Sequence, residues 1–170
     1  MASTDIVAAQ TAMTIQNNCF WTRGALTGAG VYDWLAGLPI EVRLTLPNGT
    51  RVLLVHASPE TDEGVGIRDE RSDTEERALL ADIDADLVIV GHTHRPLDRS
   101  VNGMRVWNTG SVSNPVTSET RAIWTLLEAD DAGYRLERHY AVYDVARMLS
   151  RLEAIHHPAE ASIRAFWAGN

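Results

Sequence analysis

The chain has 170 residues, the length of a single domain with a sizeable core. Its 15 Lys+Arg residues against 23 Asp+Glu residues give a formal net charge of −8, which disfavours a general nucleic-acid surface and binding to anionic membranes. All the basic residues are Arg, which excludes a Schiff-base or P-loop lysine, and Cys19 stands alone, which excludes an internal disulfide. We expect one cytoplasmic domain over residues 1–170, without a signal peptide or membrane span.

The first forty residues are predicted to be helical. Apolar residues recur at helical spacing over residues 5–26, where Pro is absent, and a shorter helix is expected over residues 31–36. Pro39 ends this region, because proline disfavours helical geometry in the residue before it.

A β-hairpin and a long loop are expected next. Residues 40–46 and 51–56 flank Asn48-Gly49, and Asn-Gly supplies the positive φ angles of a tight hairpin turn. Residues 60–72 are polar and contain two glycines, a composition typical of a functional surface loop.

A helix and a central strand follow the loop. Asp73 is predicted to cap a helix that ends near Asp84, with Glu76 as the partner in a capping box. Residues 87–90 form an uninterrupted apolar run, which is typical of a strand buried on both faces of a sheet.

The last third is predicted to contain two more hairpins, one more helix and a frayed tail. These elements are residues 99–101 with 104–107, residues 121–128 with 134–142, a helix over residues 143–155, and a tail after Pro158. The pattern favours an α/β fold in which a mixed β-sheet is flanked by helices.

Three histidines stand where apolar strands end. His56 follows residues 52–55, and His92 and His94 follow residues 87–90. In an extended segment residues i and i+2 point the same way, so both later imidazoles can enter one cavity, and a neighbouring strand can bring His56 there. Such a cluster indicates metal ligands, although a single histidine after a strand is more often a hydrogen-bonded structural residue.

Three segments occur in a characteristic order: residues 53–59 (LLVHASP), 90–96 (VGHTHRP) and 108–115 (NTGSVSNP). Together they resemble the calcineurin-like metallophosphoesterase superfamily, and more closely its small bacterial phosphatases and phosphodiesterases. The resemblance covers roughly residues 21–144. It implies a four-layer αββα sandwich and metal-dependent hydrolysis of a small phosphorylated substrate.

Carried onto this sequence, the resemblance implies that His56 and His92 bind one metal of a dinuclear centre and that His94 binds the other. The metals would be divalent transition ions, among which Mn, Fe, Zn and Ni are not distinguished. The resemblance also implies catalytic roles for three residues and a substrate contact for a fourth, which are Arg95, Asn108 and Ser111, and Gly110. From the residues alone, an arginine here serves equally well in an ion pair, and Asn and Gly serve equally well in a turn.

The sequence lacks three motifs of that family. No Asp is followed two places on by His, and neither a Gly-Asp pair nor a Gly-Asn-His triplet occurs. In the family these motifs precede the segments present here, so we expect the C-terminal part of such a domain, incomplete on its N-terminal side. A bridging carboxylate sets the metal spacing and offsets the metal charge, so we expect at most one weakly held metal and no activity of the chain alone.

Two other hypotheses remain open at this stage. The chain could be a non-catalytic remnant or interaction module of the same fold, or a mononuclear tri-histidine zinc hydrolase, because three histidines and a water form a known catalytic set. If the first half of the domain is absent, the sheet loses part of its cover and exposes apolar surface and free edges, so we expect self-association or poor solubility.

Overall fold

The computed structural model describes residues 2–70, 72–114 and 116–168. In chain order the elements are α1 (Ala2–Gly28), α2 (Tyr32–Ala36), β1 (Glu41–Thr45), β2 (Arg51–Val55), α3 (Asp73–Leu79), β3 (Leu87–Val90), β4 (Leu97–Val101), β5 (Met104–Asn108), β6 (Ala122–Asp130), β7 (Gly133–Ala141), α4 (Val145–Ala154) and α5 (Glu160–Ala168). They belong to two compact units, one from Pro39 to Tyr143 and the other from the segments before and after it. None of the helices in the described ranges is both long and apolar enough to cross a membrane.

The helical unit contains α1, α2, α4 and α5. The first three agree with the predicted helices. The N-cap of α4 is Asp144, whose carboxylate accepts a hydrogen bond from the amide of Arg147 at 2.8 Å. The prediction of a frayed tail is wrong, because α5 follows Pro158. Proline is compatible with a position ahead of a helix, and Glu160 favours the first turn and pairs with Arg164 one turn later.

The other unit is built on a five-stranded mixed sheet in the order β1-β2-β3-β5-β4. Strand β3 runs parallel to both β2 and β5, whereas β1 pairs antiparallel with β2 and β4 pairs antiparallel with β5. The predicted apolar strand therefore lies in the middle of the sheet. The predicted hairpins and the mixed α/β fold class are confirmed.

Strand β3 is buried on both faces. Val88 and Val90 belong to one apolar cluster, which also contains Leu80 next to α3, whereas Leu87 belongs to a second cluster with Leu136 of β7. The antiparallel pair β6-β7 thus covers the second face of the sheet. This alternation is the two-residue period of a strand with apolar contacts on both sides.

The N-cap of helix α3 lies one residue before the predicted one, and the helix ends several residues before the predicted end. The cap is Ser72, whose hydroxyl accepts from the amide of Glu75, and the Glu75 carboxylate accepts from the amide of Ser72. The helix stops at Leu79 rather than near Asp84. The Asp84 carboxylate lies outside the helix because it pairs with Arg51 on β2.

Glu76 has no exposed surface and takes no part in the cap. One carboxylate oxygen accepts from the amide of Arg68 at 3.2 Å, and the other lies 3.1 Å from the guanidinium of Arg99 on β4. The residue predicted for the capping box therefore joins the helix, the preceding loop and the sheet in the interior.

Candidate metal site

The parallel pairing of β2 and β3 brings two histidines together. His56 follows the last residue of β2, and His92 follows β3 after Gly91, so both stand where neighbouring parallel strands end. His56 Nε2 and His92 Nδ1 lie 3.2 Å apart, and the ring centroids are 5.1 Å apart in an edge-to-face arrangement. The two imidazoles thus aim one nitrogen each at the same small space.

The segment that carries His92 and His94 is not extended, contrary to the prediction. Both residues have left-handed backbone angles, with φ of 60° and 59°. The amide of Thr93 donates to the carbonyl of Gly91 at 2.7 Å and closes a tight turn between them. Because non-glycine residues adopt this region rarely, the turn stores conformational strain at both histidines.

A backbone carbonyl fixes the orientation of the His92 ring. His92 Nε2 lies 2.8 Å from the carbonyl oxygen of Gly64, and a carbonyl can only accept, so this nitrogen carries the proton. In the neutral ring Nδ1 then holds the lone pair that faces His56. A ligating histidine commonly donates its outer N–H to a carbonyl in this manner.

His94 has a different partner. Its Nδ1 donates to the carbonyl of Asn114 at 3.0 Å, which leaves the lone pair of the neutral ring on Nε2. Within the described ranges no three His, Cys, Asp or Glu side chains form a group that could hold a metal ion. His94 therefore does not form such a group with His56 and His92 in the described residues.

The environment of His56 favours its neutral form. Partial burial lowers its pKa below the ordinary histidine value, and the nearby His92 lowers it further, while Asp62 acts in the opposite direction. A neutral imidazole is the protonation state that a metal ligand needs.

Asn108 is buried at the end of β5 and holds the histidine segment in place. Its amide nitrogen donates to the carbonyl of Gly91 at 2.7 Å and to the hydroxyl of Thr93 at 2.9 Å. Its amide oxygen accepts from the amide of Gly110 at 2.9 Å. The side chain links β5, the turn that follows it and the segment between the two later histidines.

The turn after Asn108 is organised by its own side chains. The Ser111 hydroxyl accepts from the amide of Asn114 at 3.0 Å, and the Ser111 carbonyl accepts from the amide of Ile123 on β6 at 2.9 Å. Pro115, the last residue of the third recognised segment, lies outside the described residues. The turn holds the carbonyl of Asn114 against His94.

Arg95 is exposed and lies 3.6 Å from the carboxylate of Glu70 in the long loop. This contact is the ion-pair role considered for it above. With both side chains about half exposed, such a pair contributes little to stability.

Two contributors to the site were not predicted. The carbonyl of Gly64 orients His92, and a backbone acceptor leaves no signal in a sequence. Arg138 on β7 donates to the carbonyl of Asn108 at 3.0 Å and stacks its guanidinium on Trp107 at 4.3 Å. Arg138 lies at a strand position without a motif, so only the pairing of β6 with β7 places it there.

The histidine pair fits one divalent transition metal. With metal–nitrogen bonds of about 2.0–2.1 Å in tetrahedral geometry, two ligating nitrogens lie about 3.3 Å apart. The separation of 3.2 Å between His56 Nε2 and His92 Nδ1 is close to this value. The same separation is also that of a hydrogen bond between the two rings, and the second nitrogen of His94 takes no part in the Asn114 bond.

Comparisons with known proteins agree with the motifs. The family described as the calcineurin-like phosphoesterase superfamily domain matches residues 4–131, a range that starts and ends earlier than the expected 21–144. A search of curated proteins found no match.

Two solved structures have a similar fold. A hypothetical protein, PH1004, from Pyrococcus horikoshii OT3 has a TM-score of 0.67 and 21% identity over 81% of this chain and 53% of its own. A metallophosphoesterase from Sphaerobacter thermophilus has a TM-score of 0.66 and 21% identity over 84% of this chain and 62% of its own. The chain thus spans between half and two thirds of the length of these relatives.

Proposed function

Because the chain belongs to the calcineurin-like phosphoesterase superfamily, we propose that it carries part of the active site of a metal-dependent phosphoester hydrolase. In this proposal His56 and His92 hold one divalent transition metal, and His94 serves the second metal of a dinuclear centre. The observation that carries the proposal is the 3.2 Å separation of His56 Nε2 and His92 Nδ1. A small phosphorylated molecule is the proposed substrate.

The chain's own residues divide the work of binding and orientation. A bound divalent metal supplies Lewis-acid stabilisation of a phosphoryl oxygen. The carbonyls of Gly64 and Asn114 accept hydrogen bonds from the rings of His92 and His94 and so fix their orientation. In each neutral ring the other nitrogen, which carries the lone pair, then faces away from the carbonyl. Asn108 keeps the intervening turn in position.

Arg95 is the proposed contact for the substrate phosphate. It follows His94 directly, and its ion pair with Glu70 is exposed, so a phosphate can replace that carboxylate at little cost in stability. A guanidinium binds phosphate oxygens in a bidentate manner, which suits a charged substrate beside the metals. Ser111 and Gly110, in the turn that faces His94, are the other proposed substrate-side residues.

The proposal also says that this chain alone is inactive. In the described residues no carboxylate joins the histidines in a metal-binding group, so the charge of two metal ions would not be compensated. We expect at most one metal per chain, held weakly. The proposed location is the cytoplasm, which the lone and exposed Cys19 supports.

Metal binding tests the proposal directly. The chain is dialysed against Zn²⁺ and the bound metal is counted by elemental analysis, alongside three histidine variants and one control. His56→Ala and His92→Ala should lose the metal, whereas His94→Ala and the control His139→Ala should keep it. His139 is a suitable control because it stacks on Trp124 at 4.3 Å in the β6-β7 pair. Two tightly held metals per chain, or retention by the His92→Ala variant, would contradict the assignment.

In the part of the chain that the structure describes, no carboxylate forms a metal-binding group with the histidines, which also favours a second candidate, a non-catalytic module of the same fold. This candidate predicts that dialysis leaves no bound metal in any variant. Turnover of a chromogenic phosphodiester at limiting metal shows whether a chain that binds metal is also active. The proposal expects no turnover by the chain alone. Metal-dependent turnover that His92→Ala abolishes would contradict the expected inactivity but not the assignment of His92 to the metal.

A further inference from the structure

The loop that supplies the carbonyl for His92 also packs against its ring. Gly66 has a left-handed backbone with φ of 69°. A Cβ atom at this position would lie 3.0 Å from His92 Cδ2 and 3.0 Å from Thr93 Cγ2. These distances are shorter than ordinary carbon contacts, so a methyl group would have to displace the imidazole or the threonine.

The loop cannot simply move away, because the residues after Gly66 are anchored. Ile67 is buried in the cluster that covers one face of the sheet, with 1% of its surface exposed. The amide of Arg68 donates to the buried carboxylate of Glu76 at 3.2 Å. The anchored residues that follow Gly66 therefore hold it close to His92.

We propose that Gly66 is a positioning residue for His92. Its missing side chain lets the loop close on the ring, so that the Gly64 carbonyl accepts from Nε2 and Nδ1 faces His56. The consequence for metal binding rests on the proposed function, whereas the consequence for the ring tautomer does not.

Gly103, in the turn between β4 and β5, provides a control. It also has a left-handed backbone, with φ of 81°, but a Cβ atom there would meet nothing within 4 Å. Gly103→Ala therefore introduces the same kind of backbone strain at the opposite end of β5 from Asn108, while Gly66→Ala adds the contact with His92.

The first test is the tautomer of His92 in the metal-free chain, read from the ¹⁵N shifts of the imidazole nitrogens at a pH where the ring is neutral. In the unmodified chain and in Gly103→Ala we expect the proton on Nε2. In Gly66→Ala we expect this signature to be lost or averaged between tautomers. Equal spectra for the two variants, changed or unchanged, would overturn the proposal.

The second test is titration with Zn²⁺. Loss of an orienting partner of a ligating histidine commonly weakens metal binding by about 10- to 100-fold, and we expect this for Gly66→Ala but not for Gly103→Ala. If the unmodified chain binds no zinc, the proposed function fails and the tautomer measurement alone decides the role of Gly66.

Circular dichroism shows whether Gly66→Ala is folded. If it is not, the unmodified chain provides the test. A Nδ1-protonated His92 in that chain would overturn the proposal, and a Nε2-protonated His92 would support it.

Discussion

Replacement of Arg99 by Met tests whether the buried carboxylate of Glu76 depends on its arginine. Glu76 is fully buried, and 21% of the Arg99 side chain is exposed. The variant keeps an apolar side chain of similar length and removes the guanidinium that lies 3.1 Å from the carboxylate. Glu76 then retains the amide of Arg68 as a donor.

Breaking a buried ion pair by removal of one partner costs about 3–5 kcal/mol. Partial exposure of Arg99 screens the interaction, so the lower end of this range applies, about 3 kcal/mol. Protonation limits the electrostatic part of the loss: from an ordinary pKa of about 4.3, neutralising a glutamate at pH 7 costs about 3.7 kcal/mol. The two figures agree, so we expect Arg99→Met to lower the free energy of unfolding by about 3 kcal/mol at pH 7.

Urea unfolding followed by tryptophan fluorescence measures this loss. Adding Glu76→Gln should recover much of the stability. Arg135→Met is the control, because both Arg135 and its partner Glu128 are mostly exposed. A loss within about 0.5 kcal/mol, the range of ordinary surface substitutions, would refute the reasoning.

Three further predictions concern other parts of the sheet. Hydrogen bonds from Arg105 lower the pKa of Asp98, so its stabilisation is complete above the ordinary Asp pKa and is lost as the pH falls through the lower folded value. Asp98→Asn should therefore lower the free energy of unfolding at pH 7. In an acid titration followed by circular dichroism, the stability of the variant should decrease less with falling pH than that of the unmodified chain, and an unchanged acid profile would contradict this. Asn108→Ala should cost at least about 2 kcal/mol in urea unfolding because a buried side chain is removed together with its hydrogen bonds to Gly91, Thr93 and Gly110, and a smaller loss would mean that these groups find other partners. Val42 is 44% exposed on edge strand β1, so we expect the chain to self-associate and Val42→Lys to lower the mass seen by light scattering; a monomeric unmodified chain would contradict it.

The strands could be predicted from the sequence because their turns carry strong local signals. Asn48-Gly49 fixes the first hairpin, and the apolar run of β3 matches the predicted residues 87–90. The cap of α3 could not be fixed in the same way. Ser72 and Asp73 are both good capping residues, with glutamates three places after each, so two adjacent registers satisfy the same local rule. The ion pair of Glu76 with Arg99, distant in sequence, is compatible only with the register that leaves Glu76 free of the cap.

The candidate site could also be predicted only in part from the sequence. The positions of His56 and His92 follow from parallel strands that end at one edge, which a sequence pattern can indicate. The left-handed angles at His92 and His94 could not be inferred, because non-glycine residues disfavour them intrinsically.

Those angles have a physical explanation in Asn108. Each left-handed non-glycine residue costs about 1–3 kcal/mol and persists only where its surroundings enforce it. Asn108 donates to the carbonyl of Gly91 and to the hydroxyl of Thr93. These two hydrogen bonds fix the chain on both sides of His92, and the second lies just before His94. Two consecutive reversals then direct one ring to His56 and the other to the carbonyl of Asn114, although an extended chain would have placed both on one side.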